Sequence, residues 1–194
     1  MSNNISRDDI MPMDAYARVR RERAKELAKA KKTRRVELGP SCTFYFESYD
    51  TMWFQIHEML YIEKSGADQI PGELEAYNPL IPGGRELVAT VMIEVGDPNR
   101  RADLLGKLGG FEDTITLTLN EDIICGVPEI DVDRTNAAGK ASSVQFLRFP
   151  FSEDQVEAFK ADKSDVVLAI GHPEYRHMAG MSEEVKASLS KDFD

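Results

Sequence analysis

Short stretches of alternating apolar and polar residues along the chain predict a series of β-strands. Residues 114–119 alternate cleanly and are typical of a half-exposed antiparallel strand, whereas residues 86–95 are apolar on both faces and predict a central strand. Further strands are predicted over residues 34–38, 42–47, 122–127, 143–151 and 166–170. Because turns join most consecutive strands, we expect a mostly antiparallel sheet.

Residues 52–64 are predicted to form a helix with apolar side chains on nearly all of its faces, and Asp50 or Thr51 is its predicted N-cap. Its apolar side chains are Met52, Trp53, Phe54, Ile56, Met59, Leu60 and Ile62. They extend beyond a single face, so we expect the helix to be largely buried. Further helices are predicted over residues 67–77, 98–108 and 152–161, and from residue 182 onward.

Residues 14–32 are rich in good helix formers, but their apolar stripe is narrow. The stripe consists of Met13, Tyr16, Ala17, Ala24 and Leu27. The sequence therefore predicts a basic helical arm over residues 1–33, docked or protruding, and one α+β domain over residues 34–194. The polar residues 131–141 are predicted to form a mobile connection between two strands.

Charge is divided unevenly between these two parts. The 194 residues carry a net charge of −10, but residues 1–40 hold 11 Lys and Arg against 6 Asp and Glu, a net charge of +5, which leaves −15 for the remainder. An acidic body repels nucleic acid, and the basic run 18–35 contains no aromatic residue that would stack on a base. We therefore expect no nucleic-acid partner. The arm either contacts an anionic partner or folds back on the acidic body.

Cysteine usage and hydropathy indicate the cellular compartment. Cys42 and Cys125 stand alone in the sequence, and no apolar stretch is long enough to span a membrane. The first residues lack the apolar core of a signal peptide. We expect a cytoplasmic protein with reduced thiols and no membrane contact.

Polar side chains cluster directly after the last predicted strand. His172, Tyr175, Arg176 and His177 follow the apolar run 166–170, and we expect them in a loop over residues 172–181 at the rim of the sheet. Loops held by a rigid scaffold commonly carry function. This segment is therefore a candidate site, although no complete catalytic motif accompanies it.

The histidines raise the question of a metal site. His172 and His177 have the spacing of half a zinc site, but the paired cysteines of the other half are missing. His57 and Glu58 would extend the ligand set, yet adjacent helix residues point about 100° apart and are poorly placed to bind one ion together. The sequence favours ordinary hydrogen-bonded histidines, and we predict neither a metal site nor a cofactor.

Arg148 is a second candidate. It shares a strand face with Val144 and Phe146, so its guanidinium points toward the side that resembles the core. A buried arginine requires a carboxylate, and Glu58 or Glu63 would serve. A structural ion pair and an exposed arginine on an edge strand are the alternatives to a functional role.

Several segments together resemble the bacterial domain of unknown function 3501 family. They are residues 34–40, 55–60, 75–82, 146–149 and 172–177, and they follow in order across nearly the whole chain. The family as known has no established activity. Its members are often encoded beside rubrerythrin-like proteins and iron–sulfur oxidoreductases, so the resemblance implies a redox or peroxide-stress setting.

The matching segments contribute seven polar residues that define a candidate ligand site: Glu58, Asn78, Arg148, His172, Tyr175, Arg176 and His177. A single pocket that collected them would suit a small anionic molecule or the tail of a partner protein. The leading hypothesis is an accessory or binding protein of a redox system, with a rubrerythrin-like or iron–sulfur partner. The alternative is a metal-dependent or general acid/base enzyme that uses His172 and Glu58 on a small anionic substrate.

Overall fold

Six α-helices and nine β-strands make up the computed structural model, which describes residues 4–64, 66–129 and 139–193. The helices are α1 (Met13–Lys32), α2 (Tyr49–Glu63), α3 (Ile70–Tyr77), α4 (Pro98–Lys107), α5 (Glu153–Lys160) and α6 (Glu183–Leu189). The strands are β1 (Arg35–Leu38), β2 (Cys42–Phe46), β3 (Glu86–Ile93), β4 (Ile115–Leu119), β5 (Asp122–Cys125), β6 (Val127–Pro128), β7 (Val144–Pro150), β8 (Val166–His172) and β9 (Tyr175–Gly180).

The described strands pair in antiparallel fashion throughout and form two sheets. Sheet 1 has the strand order β1-β2-β3-β7-β6, and sheet 2 has the order β5-β4-β8-β9. The predicted α+β class and antiparallel pairing are confirmed, and β3 is a central strand as expected. The strands divide between two sheets because both β3 and β7 have apolar residues on each face and can be covered from both sides.

The main core lies between the inner faces of the two sheets. Phe44, Leu87 and Phe149 point into it from sheet 1, and Leu117 and Leu168 point into it from sheet 2. All five side chains are completely buried. The alternation predicted for β4 is confirmed, since every second residue of this strand is buried.

A helical layer covers the outer face of sheet 1. Its buried side chains form a second apolar cluster: Ile5, Met52, Ile56, Leu60, Leu80, Ile81 and Val88. The N-cap of α2 is Ser48, whose Oγ accepts a hydrogen bond from the Thr51 N–H at 3.3 Å, so the predicted caps are wrong by two or three residues. The expectation that α2 is largely buried fails near its C-terminal end, where Ile62 is 62% exposed.

α1 lies against α2 in this layer. Tyr16 is completely buried and Leu27 is buried, while the residues around the rest of α1 are half-buried or exposed. The chain ahead of α1 also contributes to the layer, because Ile5 belongs to the second apolar cluster. The division into an arm over residues 1–33 and a domain over residues 34–194 stays a prediction. Of the predicted mobile connection, residues 131–138 lie outside the described residues.

The prediction of a loop over residues 172–181 is wrong. This segment forms β9, which pairs with β8 so that Tyr175 lies opposite His172 and His177 lies opposite Ile170. Alternate residues of an antiparallel strand face the same side, so Tyr175 and His177 share the inner face with Ile170. Their polar groups hide the two-residue period from a hydropathy pattern, and this is why the strand was missed.

Candidate functional site

Glu58 joins two helices of the helical layer. Its Oε1 accepts hydrogen bonds from the Tyr16 hydroxyl at 2.7 Å and from Arg20 Nε at 2.7 Å, and its Oε2 accepts one from Arg20 Nη2 at 2.6 Å. The hydrogen bonds from Arg20 lower the pKa of Glu58, against the opposing effect of burial. Three of its acceptor positions are therefore occupied by groups of α1.

The ring of Tyr16 packs among aromatic side chains of α2. Its centroid lies 6.0 Å from that of Trp53, 4.9 Å from that of His57 and 6.1 Å from that of Tyr61. His57 is fully buried, its Nε2 accepts a hydrogen bond from the Met11 N–H at 3.0 Å, and its Nδ1 lies 2.7 Å from the Trp53 carbonyl oxygen. Burial lowers the pKa of His57. A neutral imidazole with its proton on Nδ1 satisfies both contacts, so His57 acts as a packing residue.

The side of α1 that faces away from Tyr16 and α2 carries a row of positive charges. We call this row the basic stripe, and it consists of Arg21, Lys25, Lys29 and Lys32. At 100° per residue these four positions fall within an arc of about 80°. At 1.5 Å per residue the row is about 16 Å long. All four side chains are exposed, and within the described part of the chain none of them forms an ion pair.

Arg148 and Asn78 line one open cleft beside α3. Arg148 donates from Nε to Glu129 at 2.8 Å, from Nη1 to Glu86 at 2.7 Å, and from Nη2 to the Pro79 carbonyl oxygen. The predicted partners Glu58 and Glu63 are therefore wrong. The inner residues of β7 are those on either side of Arg148 along the strand, and Arg148 itself points to the outer face of sheet 1, where its side chain is 27% exposed.

The Asn78 side chain also has its partners within the protein. Its Oδ1 accepts from the Ile5 N–H at 2.8 Å, and its Nδ2 donates to the Ile5 carbonyl oxygen at 2.9 Å. Binding of a small anion at this cleft stays a prediction. Such an anion would compete with Glu86 and Glu129 for the charge of Arg148.

Replacing Arg148 with Ala is expected to lower the free energy of unfolding by about 1–3 kcal/mol, because two neighbouring carboxylates lose their shared cation in a half-buried position. Urea denaturation measures the change. The control is Arg85→Ala, which removes an ion pair to Glu153 in which both side chains are about 70% exposed. This substitution should cost less than about 1 kcal/mol. Equal effects of the two substitutions would mean that the Arg148 cluster behaves as an ordinary surface pair.

The β8–β9 hairpin holds the other four predicted site residues. The Tyr175 hydroxyl donates to the Leu38 carbonyl oxygen at 2.6 Å and accepts from the Ser41 N–H at 2.9 Å. The His177 ring lies against Gly39. A Cβ at this position would approach the ring atoms to 2.6 Å, and the φ of +65° is a backbone conformation that favours glycine. Tyr175 and His177 thus attach β9 to the β1–β2 turn.

The remaining hairpin residues are closer to solvent. His172 is half-buried, and its Nδ1 accepts from the Glu174 N–H at 3.3 Å, while Arg176 is exposed. The structure therefore brings Asn78 and Arg148 to one cleft and the hairpin residues to another region, with Glu58 between α1 and α2. The single pocket envisaged from the sequence does not form.

The positions of His172 and Glu58 in the structure bear on the enzyme hypothesis. Within residues 4–64, 66–129 and 139–193, no three His, Cys, Asp or Glu side chains are arranged to hold a metal ion. His172 lies on the hairpin of sheet 2 and Glu58 is hydrogen-bonded in the helical layer, so no contact joins the proposed acid/base pair.

A second cleft, which the sequence did not reveal, lies between the helical layer and the outer face of sheet 1. It has a volume of about 380 Å³. Its lining residues are Lys31, Tyr45, Glu47, Met52, Gln55, Tyr77, Leu80, Thr90, Met92 and Phe146. The alternation of residues 42–47 already places Tyr45 and Glu47 on one face of a strand, and this was the available signal. We call this feature the sheet–helix cleft.

These features define an α+β protein with two packed antiparallel sheets and a helical layer that carries a basic stripe. Among the described helices, none has the length and apolar character needed to cross a membrane. The chain belongs to the DUF3501 family, described as "Protein of unknown function (DUF3501)", whose family model matches residues 4–193. The resemblance drawn from the sequence is thus confirmed.

A crystal structure closely matches the whole fold. It is described as a novel protein of unknown function from Burkholderia pseudomallei K96243, and it shares 36% sequence identity with this chain over 100% of both chains, with a TM-score of 0.91. No curated protein matches the chain. The comparisons therefore establish family and fold, and the function has to be argued from the site.

Proposed function

We propose that this protein is an accessory protein that docks onto an acidic surface of a protein partner through the basic stripe of α1. The observation that carries the proposal is the alignment of Arg21, Lys25, Lys29 and Lys32 on one exposed face without ion pairs among the described residues. Cations that form no ion pair with these residues are available to an acidic surface, and they steer its approach.

The distribution of charge along the chain supports this role. Residues 1–40 carry a net charge of +5, while the remainder of the chain carries −15. The basic stripe is therefore a positive region on a negative protein. An acidic partner would be repelled by most of the surface and attracted by this face of α1, which favours one docking orientation.

The attachment of α1 also supports docking. Tyr16 is completely buried and Arg20 binds Glu58 through two hydrogen bonds, so the buried side of the helix is fixed to α2. A helix already held in place loses little conformational freedom when a partner binds its other side. The stripe is thus presented in a defined position.

The family resemblance supports a redox protein as the partner, either a rubrerythrin-like protein or an iron–sulfur oxidoreductase. An accessory role agrees with the state of the buried thiol, because burial raises the pKa of Cys42 to about 12. A thiol with so high a pKa is a poor nucleophile at neutral pH. Cys42 is therefore poorly suited to redox chemistry, which agrees with a partner that supplies it.

The decisive experiment compares two variants that change the net charge equally. The stripe variant replaces Arg21, Lys25, Lys29 and Lys32 with Gln. The control variant replaces four exposed cations elsewhere with Gln: Lys64, Arg100, Lys107 and Lys163, none of which forms an ion pair among the residues that the structure describes. Charge variants are preferred to deletion of residues 1–32, because Ile5 and Tyr16 contribute buried surface.

Binding is measured by calorimetry against a purified rubrerythrin-like protein at low and high salt. We expect the stripe variant to bind at least about tenfold more weakly, and high salt to weaken the wild type, because exposed charges are screened beyond about 8 Å at physiological ionic strength. The control variant should bind like the wild type. Equal binding by both variants, or equally tight binding of the wild type to duplex DNA, would contradict the proposal.

A further inference from the structure

The sheet–helix cleft contains a buried carboxylate. Glu47 follows β2 and is 6% exposed. Its Oε1 accepts a hydrogen bond from the Thr90 hydroxyl at 2.6 Å, and its Oε2 accepts one from the Thr51 hydroxyl at 2.6 Å. Both donors are neutral, and each carboxylate oxygen keeps further acceptor capacity.

Among the described residues no cation forms an ion pair with Glu47, since no Lys, Arg or His nitrogen lies within 4.0 Å of its carboxylate. Arg34 comes near, but it donates to the backbone carbonyl oxygen of Glu47 at 2.6 Å and forms its ion pair with Asp192. Burial of a carboxylate without a cation is costly. The first turn of α2, which contains Thr51, offsets part of this cost through the positive end of its helix dipole.

Aromatic and apolar side chains form the rest of the cleft wall. Thr90 lies between Tyr45 and Phe146 in a cross-strand row on the outer face of sheet 1, so the hydroxyl that holds Glu47 is flanked by two rings. Tyr77 and Met92 also line the cleft. Aromatic rings attract a cationic group as well as an apolar body, and a volume of about 380 Å³ is in the usual range for small-molecule sites.

We propose that the sheet–helix cleft binds a small organic monoamine, with its ammonium group on Glu47 and its apolar body against Tyr45, Tyr77 and Phe146. The buried carboxylate supplies the charge that an ammonium requires, and the hydroxyls of Thr51 and Thr90 hold it in place before binding. This site is separate from the basic stripe and is independent of the docking function.

Lys31 refines the ligand class. It lies at the C-terminal end of α1, lines the cleft and forms no ion pair with Glu47. A second positive charge on the ligand would meet the Lys31 ammonium and be repelled. The cleft therefore favours a ligand with one ammonium group over a polyamine.

The first test uses the wild-type protein and two probes of nearly equal shape. Phenethylamine carries an ammonium group, and 2-phenylethanol replaces it with a neutral hydroxyl. We expect phenethylamine to give saturable binding in calorimetry and to bind at least about tenfold more tightly than 2-phenylethanol. In NMR titrations, the methyl signals of Thr90 and Met92 should shift. Equal affinity of the two probes, absence of saturation, or shifts confined to other regions would overturn the proposal.

The second test uses Glu47→Gln, which keeps the shape of the side chain and removes its charge. This variant should bind phenethylamine at least about tenfold more weakly and bind 2-phenylethanol as the wild type does. The matched control is Glu121→Gln, an exposed position in the β4–β5 turn, which should leave both affinities unchanged. Unaltered phenethylamine binding by a folded Glu47→Gln protein would overturn the assignment. If that variant fails to fold, the two-probe comparison on the wild type still decides the question.

Discussion

Replacing Arg34 with Met is expected to lower the free energy of unfolding by about 3–5 kcal/mol, because it leaves a buried carboxyl group without its cation. The Arg34 and Asp192 side chains are only 8% and 6% exposed, and Nη2 of Arg34 lies 2.6 Å from Oδ2 of Asp192. Burial raises the pKa of Asp192, against the opposing effect of Arg34. Arg34 also donates to the Phe46 and Glu47 carbonyl oxygens, so the substitution removes several buried hydrogen bonds at once.

The double variant Arg34→Met with Asp192→Leu separates the ion pair from these other bonds. Removal of both charges takes away the unpaired carboxyl group, so the double variant should be more stable than Arg34→Met alone. Urea denaturation of the wild type, Arg34→Met, Asp192→Leu and the double variant gives the coupling energy. If Arg34→Met unfolds within about 1 kcal/mol of the wild type, the pair does not fix the chain end around Asp192 to β2.

The strands were predictable where the apolar residues are the ones that point into the core. The alternating pattern of residues 114–119 placed β4 correctly, because its polar residues face away from the core. β9 was missed because Tyr175 and His177 point inward, with their polar atoms bonded or packed at the β1–β2 turn. A ring that carries a polar group can fill an inner position. Hydropathy alone therefore does not show which face of such a strand points into the core.

Arg148 shows a second limit of the sequence pattern. Val144 and Phe146 suggested that its face was the core, but β7 is covered on both sides, by sheet 2 and by the helical layer. An apolar pattern on both faces identifies a central strand without saying which face is the more deeply buried. The carboxylate partners Glu86 and Glu129 come from separate strands and loops, and only the tertiary structure brings them together.

The candidate sites were also predictable only in part, because some of their contacts form only in the tertiary structure. The basic character of α1 is plain from the sequence, and the positions of Arg21, Lys25, Lys29 and Lys32 follow from helical geometry alone. The sheet–helix cleft is different, because three strands of sheet 1 and three helices contribute residues to its walls. Local patterns cannot supply such long-range contacts.

Replacing Tyr16 with Ala is expected to lower the free energy of unfolding by about 3–5 kcal/mol, because it empties the space of a fully buried ring between α1 and α2. The control Tyr16→Phe keeps the ring and removes only the hydroxyl that donates to Glu58, so it should cost about 1–2 kcal/mol. Urea denaturation followed by far-UV circular dichroism measures both. Similar losses for the two variants would mean that the hydroxyl, and not the ring, holds α1 in place.

The acid dependence of stability isolates the contribution of Glu58 to this contact. The hydrogen bonds from Arg20 lower the pKa of folded Glu58 below its unfolded value of about 4.3. A lowered pKa in the folded state gives stability that is present above the unfolded pKa and is lost as the pH falls through the folded pKa. The wild type should therefore lose part of its stability below about pH 4, and the variant Glu58→Gln, which cannot titrate there, should lose less over the same interval. Parallel acid profiles for the two proteins would show that the carboxylate of Glu58 does not contribute to the attachment of α1, and the fixed presentation of the basic stripe would then depend on buried side chains such as Tyr16 and Leu27.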